Sequence, residues 1–238
     1  MTNNSASLLL SNQFGITGKP LRRMAKHPTV TRSPFPNAPI SRMQKLTSLC
    51  VYCGSSRGRI ETYATAACAL AQTMVERDIR LVFGGGRVGI MGAVADEVLR
   101  LGGKAVGVIP ESLMRKELAH TGLTELHVTE SMHARKTKMA ELADAFVALP
   151  GGIGTFEEIF EVWTWAQLGF HNKPCGLLNV AGYYDGLIAF LDHAADEQFV
   201  RADQRKMLVV ESEPTLLLDR FVAYTPPSVP KWVGLGET

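Results

Sequence analysis

Short apolar runs alternate with helix-period stripes along almost the whole chain, and this alternation narrows the fold more than any other feature. The runs cover about 46–53, 79–83, 104–109, 124–128, 145–149, 174–179 and 207–211. Between and after them the periodicity predicts helices near 59–77, 88–101, 111–118, 131–144, 155–168, 183–197 and 213–222. In the clearest of these, Phe156, Ile159, Phe160 and Trp163 recur at the spacing of one buried helix face. Strands this short and this rich in Val, Ile and Leu have no polar face to give to water. Joined by helix-length connections, they pair in parallel with helices covering both faces of the sheet. The expectation is one α/β domain over residues 46–222, with ligands bound outside the carboxyl ends of the strands.

Charge distribution separates the ends from this domain. Residues 1–48 contain seven Lys/Arg, eleven Ser/Thr, five Pro and no Asp or Glu. Such a composition cannot bury enough apolar surface to offset the entropy of folding. Residues 1–45 are therefore read as a basic, disordered extension, with an Arg-rich transit sequence or a true start at Met43 as alternatives. Residues 223–238 form a Pro-rich tail. The other 190 residues carry 18 basic against 23 acidic groups, an unsuitable balance for neutralising nucleic-acid phosphates. No apolar stretch reaches the ~20 residues that span a bilayer. Cys50 and Cys53 have C-x-x-C spacing, but they lie in a predicted strand, where positions three apart face opposite sides. With no second pair to complete a zinc site, they read as buried free thiols of a reducing cytoplasm.

Three strand-to-helix loops are rich in small residues: Cys53-Gly54-Ser55-Ser56, Gly84-Gly85-Gly86 and Pro150-Gly151-Gly152-Ile153-Gly154-Thr155. Each by itself is compatible with a tight turn. Together on one rim of a sheet they would present backbone N–H groups and helix N-termini to an anion. Gly84-x-Gly86-x-x-Gly89 formally matches a dinucleotide fingerprint, but no acid stands at the end of the next strand to hold a ribose hydroxyl. A P-loop also fails, because neither glycine loop continues into Gly-Lys-Ser/Thr. The following segment "SMHARKTKMAEL" sets Met132, Met139, Leu142 and Ala143 on one apolar face and adds a basic cluster of Arg135, Lys136 and Lys138 near the rim. At 100° per residue, Glu158 lies off the core face of its helix, one turn from the glycines, whereas Glu157 reads as a partner of the helix dipole.

These motifs, with "CGSS" at 53–56, "GVIPESL" at 107–113, "MHARKTKM" at 132–139, "LPGGIGTFEEIFEVWTWAQLGFHNKP" at 149–174 and "GYYDGL" at 182–187, resemble the Lonely Guy (LOG) family. Its members are cytokinin riboside 5′-monophosphate phosphoribohydrolases, often labelled lysine decarboxylases. The resemblance covers about residues 46–222. It implies a doubly wound Rossmann-like sheet, a homodimer, and hydrolysis of the N-glycosidic bond of plain or N6-prenylated adenosine 5′-monophosphate, with no cofactor and no metal. The family's catalytic pair falls on Arg135 and Glu158. Its substrate contacts fall on Glu117, Arg135, Lys136, Gly151, Gly152, Ile153, Gly154, Thr155, Glu158 and Thr164, and Gly54, Ser55, Gly85 and Gly86 complete the candidate rim.

The residue types suit that chemistry. Breaking a glycosidic bond builds positive charge on the ribose, which a carboxylate stabilises or answers by activating water. A guanidinium stays protonated, so Arg135 is assigned an electrostatic role and the general acid is left unassigned. Three other readings stand beside this one. They are a broader nucleoside-5′-monophosphate nucleosidase, a non-catalytic carrier such as those for molybdenum cofactor, and a decarboxylase relying on Lys136. His120, His127, His133 and His171 read as structural or surface residues, and Asp185 as a helix-dipole partner.

Overall fold

The computed structural model describes residues 45–114 and 119–227. The basic N-terminal extension up to residue 44, the proposed substrate contact Glu117 and the tail from 228 lie outside the described residues. Seven strands form one parallel sheet: β1 (Ser48–Tyr52), β2 (Arg80–Phe83), β3 (Ala105–Pro110), β4 (Glu125–Thr129), β5 (Ala145–Ala148), β6 (Cys175–Leu178) and β7 (Leu208–Glu211). All seven correspond to the apolar runs. The helices are α1 (Thr62–Glu76), α2 (Gly89–Arg100), α3 (Glu111–Met114), α4 (Met132–Leu142), α5 (Ile153–Gln167), α6 (Asp185–Asp196), α7 (Ala202–Arg205) and α8 (Pro214–Val222). The one-turn α7 and a 3-10 turn at Val180–Gly182 have no counterpart in the periodicity, since so few residues cannot display a period.

The strand order is β4-β3-β2-β1-β5-β6-β7. The chain steps outward from β1 to β4, then returns to place β5 on the other side of β1. This reversal makes the β1/β5 boundary the topological switch point, where the loops leaving the two strands diverge and leave a crevice. The two sheet faces carry separate cores. Leu49, Val51, Leu81, Phe83, Val147 and Leu149 pack under α1, α2 and α8. Cys50, Tyr52, Val82, Val108, Phe146 and Ala148 pack under α4, α5 and the start of α6. Cys50 and Cys53 fall in opposite cores, as strand alternation requires, and both are buried and free. Burial raises both thiols' pKa far above the ordinary thiol range, which leaves them inert.

Edge strand β4 departs from the expectation of strands buried on both faces: Leu126 and Val128 are exposed. Helix α4 also differs from its predicted face. Met139 and Ala143 are buried, but Met132 is exposed, while Arg135 and Lys136 are buried in its place. Hydrophobic periodicity cannot orient a helix whose inward face is partly ionic.

Candidate active site at the switch point

The loops after β1 and β5 touch directly, with Gly54 N donating to Pro150 O at 3.1 Å. Helix α5 begins immediately after the second loop. Its N-cap is Gly152, with no side-chain cap, and its first intrahelical bond is Phe156 N to Gly152 O, so the amides from Gly152 to Thr155 are not used within the helix. Gly152, Ile153 and Gly154 are exposed, and a Cβ at Gly152 or Gly154 would meet open space. Gly151 is different. A Cβ there would overlap the Thr155 hydroxyl and stand 2.9 Å from Gly54 N, so only glycine lets the two loops close together over the buried Thr155. The result is an open, positively polarised helix N-terminus at the switch point.

The third glycine loop is used otherwise. Gly85 and Gly86 are buried, Gly85 O accepts from His120 N at 2.9 Å, and Gly86 forms an antiparallel bridge with Ala119. The first amides of α2 are also spent, because Ile90 N and Met91 N donate to Gly54 O. A pyrophosphate has no free helix N-terminus there, which agrees with the incomplete dinucleotide fingerprint. Ser55 is exposed on the rim.

Three ion pairs, made by the neighbouring cations Arg135 and Lys136, link α4 to α5. Arg135 is 6% exposed; its Nε donates to Val108 O at 3.1 Å and its Nη2 to Gly84 O at 3.3 Å. A Cβ on Gly84 would overlap that guanidinium, so this glycine admits the arginine to the strand ends. Arg135 Nη1 then lies 4.0 Å from Glu158 Oε1, and the Glu158 side chain keeps 14% of its surface open. The adjacent Lys136 contacts, through Nζ, Glu157 at 2.6 Å and Glu161 at 2.9 Å. Burial alone would depress the Lys136 pKa, but the two carboxylates outweigh it and the ammonium is held above its ordinary value. A protonated, doubly paired amine is unsuited to forming a Schiff base, which removes the physical basis for a Lys136 decarboxylase. Glu157, expected to serve the helix dipole, is a partner of Lys136 instead.

Thr164 is exposed on the same helix, its hydroxyl donating to Phe160 O at 2.7 Å. His171 is structural: its ring bonds Val162 O and accepts from Lys173 N, and burial lowers its pKa to about 4. Sequence reasoning missed the two tyrosines of "GYYDGL". Tyr183 donates to Gly151 O and Tyr184 to Leu149 O. Asp185 does stand in the first turn of α6.

A parallel α/β sheet with an open glycine-capped helix N-terminus and a partly buried Arg–Glu pair at its switch point makes this a Rossmann-like protein with an anion-accepting rim. The family model described as possible lysine decarboxylase matches residues 91–221. The chain is 46% identical over 185 residues to cytokinin riboside 5′-monophosphate phosphoribohydrolase LOG of Oryza sativa subsp. japonica, spanning 78% of this chain and 76% of that protein. To LOG2 of Arabidopsis thaliana, of the same printed activity, it is 48% identical over 178 residues, spanning 75% and 84%. The chain belongs to this LOG family. Among solved structures, a molybdenum cofactor carrier protein from Chlamydomonas reinhardtii superposes with a TM-score of 0.57 at 18% identity, over 75% of this chain and 99% of that one. A molybdenum cofactor binding protein from Rippkaea orientalis gives 0.56 at 21%, over 75% and 96%. These two likenesses bear on the fold alone.

Proposed function

We propose that the protein is a phosphoribohydrolase that cleaves the N-glycosidic bond of N6-prenylated adenosine 5′-monophosphates, releasing the free base and D-ribose 5-phosphate. The observation that carries this reading is the Arg135–Glu158 pair beside the open N-terminus of α5. An anion held by the amides from Gly152 to Thr155 sits at the start of the helix that bears Glu158 on its second turn. Gly54, Ser55, Gly85, Gly86, Gly151 and Thr164 shape the surrounding rim. In the reaction the C1′–N9 bond breaks and its electron pair leaves with the base, which takes up a proton, while a water adds its oxygen to C1′ and gives up a proton. Glu158 stabilises the developing positive charge on the ribose or takes a proton from that water. Arg135 holds Glu158 by charge. Lys136, assigned to substrate by resemblance, acts here by fixing α4 against α5 through Glu157 and Glu161.

A homodimer fits the exposed Leu168 and Phe170 at the end of α5, which a second copy would cover, and light scattering of the purified chain tests it. A cytoplasmic location fits four free cysteines, three of them buried. Among the described residues no helix is long and apolar enough to cross a membrane. The deciding experiment measures free base released from prenylated AMP, plain AMP, other monophosphates and the matching nucleosides. Glu158→Gln is expected to lower kcat at least about a hundredfold with substrate binding retained. A near-normal rate would remove Glu158 from the chemistry, and equal rates on nucleosides would remove the phosphate site.

A further inference from the structure

The segment joining β6 to α6 reaches back to the glycine loop of α5 through both of its tyrosines. Tyr184, 1% exposed, donates its hydroxyl to Leu149 O at 2.6 Å. Tyr183, 38% exposed, donates to Gly151 O at 2.5 Å. The two bonds bracket Pro150, so both carbonyls of the turn that launches α5 are held from one neighbouring segment. Aromatic packing fixes the donors. The Tyr183 ring meets Tyr184 edge-on at 5.0 Å and Tyr63 at 5.6 Å, and Tyr63 in turn packs against the Gly58 backbone in the loop after β1. One row of tyrosines therefore braces both loops of the switch point. Asn179 secures the base of the row, its Oδ1 accepting from Tyr184 N at 2.7 Å and its Nδ2 donating to Asp185.

The bond from Tyr183 has a chemical consequence beyond bracing. Gly151 C=O and Gly152 N–H belong to one peptide plane. A donor on that carbonyl both orients the plane and polarises its N–H, since linked hydrogen bonds strengthen one another. Gly152 N–H is the first of the open amides at the α5 N-terminus, and no side chain caps that end. We propose that Tyr183 is a positioning residue for phosphate recognition: by holding Gly151 O it aims and polarises the Gly152 amide toward the substrate's 5′-phosphate. This rests on the reading of the α5 N-terminus as the phosphate site. Tyr183 touches no reacting atom, so it acts on substrate affinity and leaves the chemical step to Glu158.

Tyr183→Phe tests it, because the ring and its two edge contacts remain and only the hydroxyl is lost. In the full-length protein, the KM for prenylated AMP and the inhibition constant of D-ribose 5-phosphate rise together by about three- to tenfold, the worth of one hydrogen bond. The kcat and the inhibition constant of adenine, which has no phosphate, stay at their wild-type values. An unchanged ribose 5-phosphate constant overturns the proposal, as does an equal weakening of adenine or a loss confined to kcat. If ribose 5-phosphate does not inhibit the wild type and nucleosides react as fast as nucleotides, the phosphate site itself fails, and the proposal falls with it. If the wild type depends on phosphate and Tyr183→Phe keeps that dependence in full, only the proposal fails.

Discussion

Replacing Arg135 by lysine separates the guanidinium's shape from its charge. In the wild type this side chain faces three oxygen partners at once: Nε to Val108 O, Nη2 to Gly84 O and Nη1 toward Glu158 at 4.0 Å. A lysine ammonium is a single centre on a flexible stem and cannot span the ends of β2 and β3 while also facing α5. One buried carbonyl is left without its donor, at a cost of about 1–3 kcal/mol. In a domain of this size that lowers Tm by roughly 2–12 °C. The charge survives, so the attraction to Glu158, between about 1 kcal/mol in water and about 4 kcal/mol at an effective dielectric of 20, is kept in part. What is lost is placement. A displacement of about 1 Å at a reacting group costs on the order of a hundredfold, so kcat/KM is expected to fall roughly 10- to 100-fold. Arg135→Gln, which removes the charge as well, falls further. Calorimetry and base release from prenylated AMP read the two effects separately. Wild-type Tm and wild-type turnover in Arg135→Lys would refute the three-point account, and wild-type turnover in Arg135→Gln would remove the ion pair from catalysis.

Two further outcomes follow from the geometry. His171 has its pKa lowered by burial to about 4, below the ordinary value of 6.5, so the unfolded chain binds its proton first. Its contribution to stability is complete above about pH 6.5 and is lost as pH falls toward 4, amounting to about 2 kcal/mol between pH 7 and 5. Thermal unfolding across that range should show a shallower decline in His171→Gln, and parallel curves would contradict the assignment. Gly151→Ala forces a methyl into the Thr155 side chain and against Gly54 N, so it should lower stability by about 1–3 kcal/mol and raise KM for the nucleotide. A fully stable, fully active alanine variant would show that the two loops need no close approach.

How much of this was legible without the structure differs from element to element. Every strand was visible as an apolar run, and α5 announced itself through Phe156, Ile159 and Trp163, because strand and helix periods are properties of neighbouring residues. The opposite faces of Cys50 and Cys53 followed from alternation alone. Helix α4 was located but turned: a face carrying Arg135 and Lys136 looks solvated until Glu157, Glu158 and Glu161 are known to oppose it. Glu157 and Glu158 are adjacent and identical in type, and their separation into a partner for Lys136 and a partner for Arg135 depends on how two helices pack.

The sequence by itself determined the local grammar of this protein: seven strands alternating with helices, glycine-rich turns after three of those strands, a carboxylate one turn beyond the last glycines and a family resemblance strong enough to name the chemistry. Only the tertiary structure decided who meets whom. Arg135 rests on carbonyls 27 and 51 positions earlier, and Tyr183 reaches a carbonyl 32 positions earlier. Those meetings depend on the strand order that sets β5 beside β1 and on the angle at which α4 lies across the sheet. Neither is written in any single segment, since each is the outcome of burying both faces of one sheet at once.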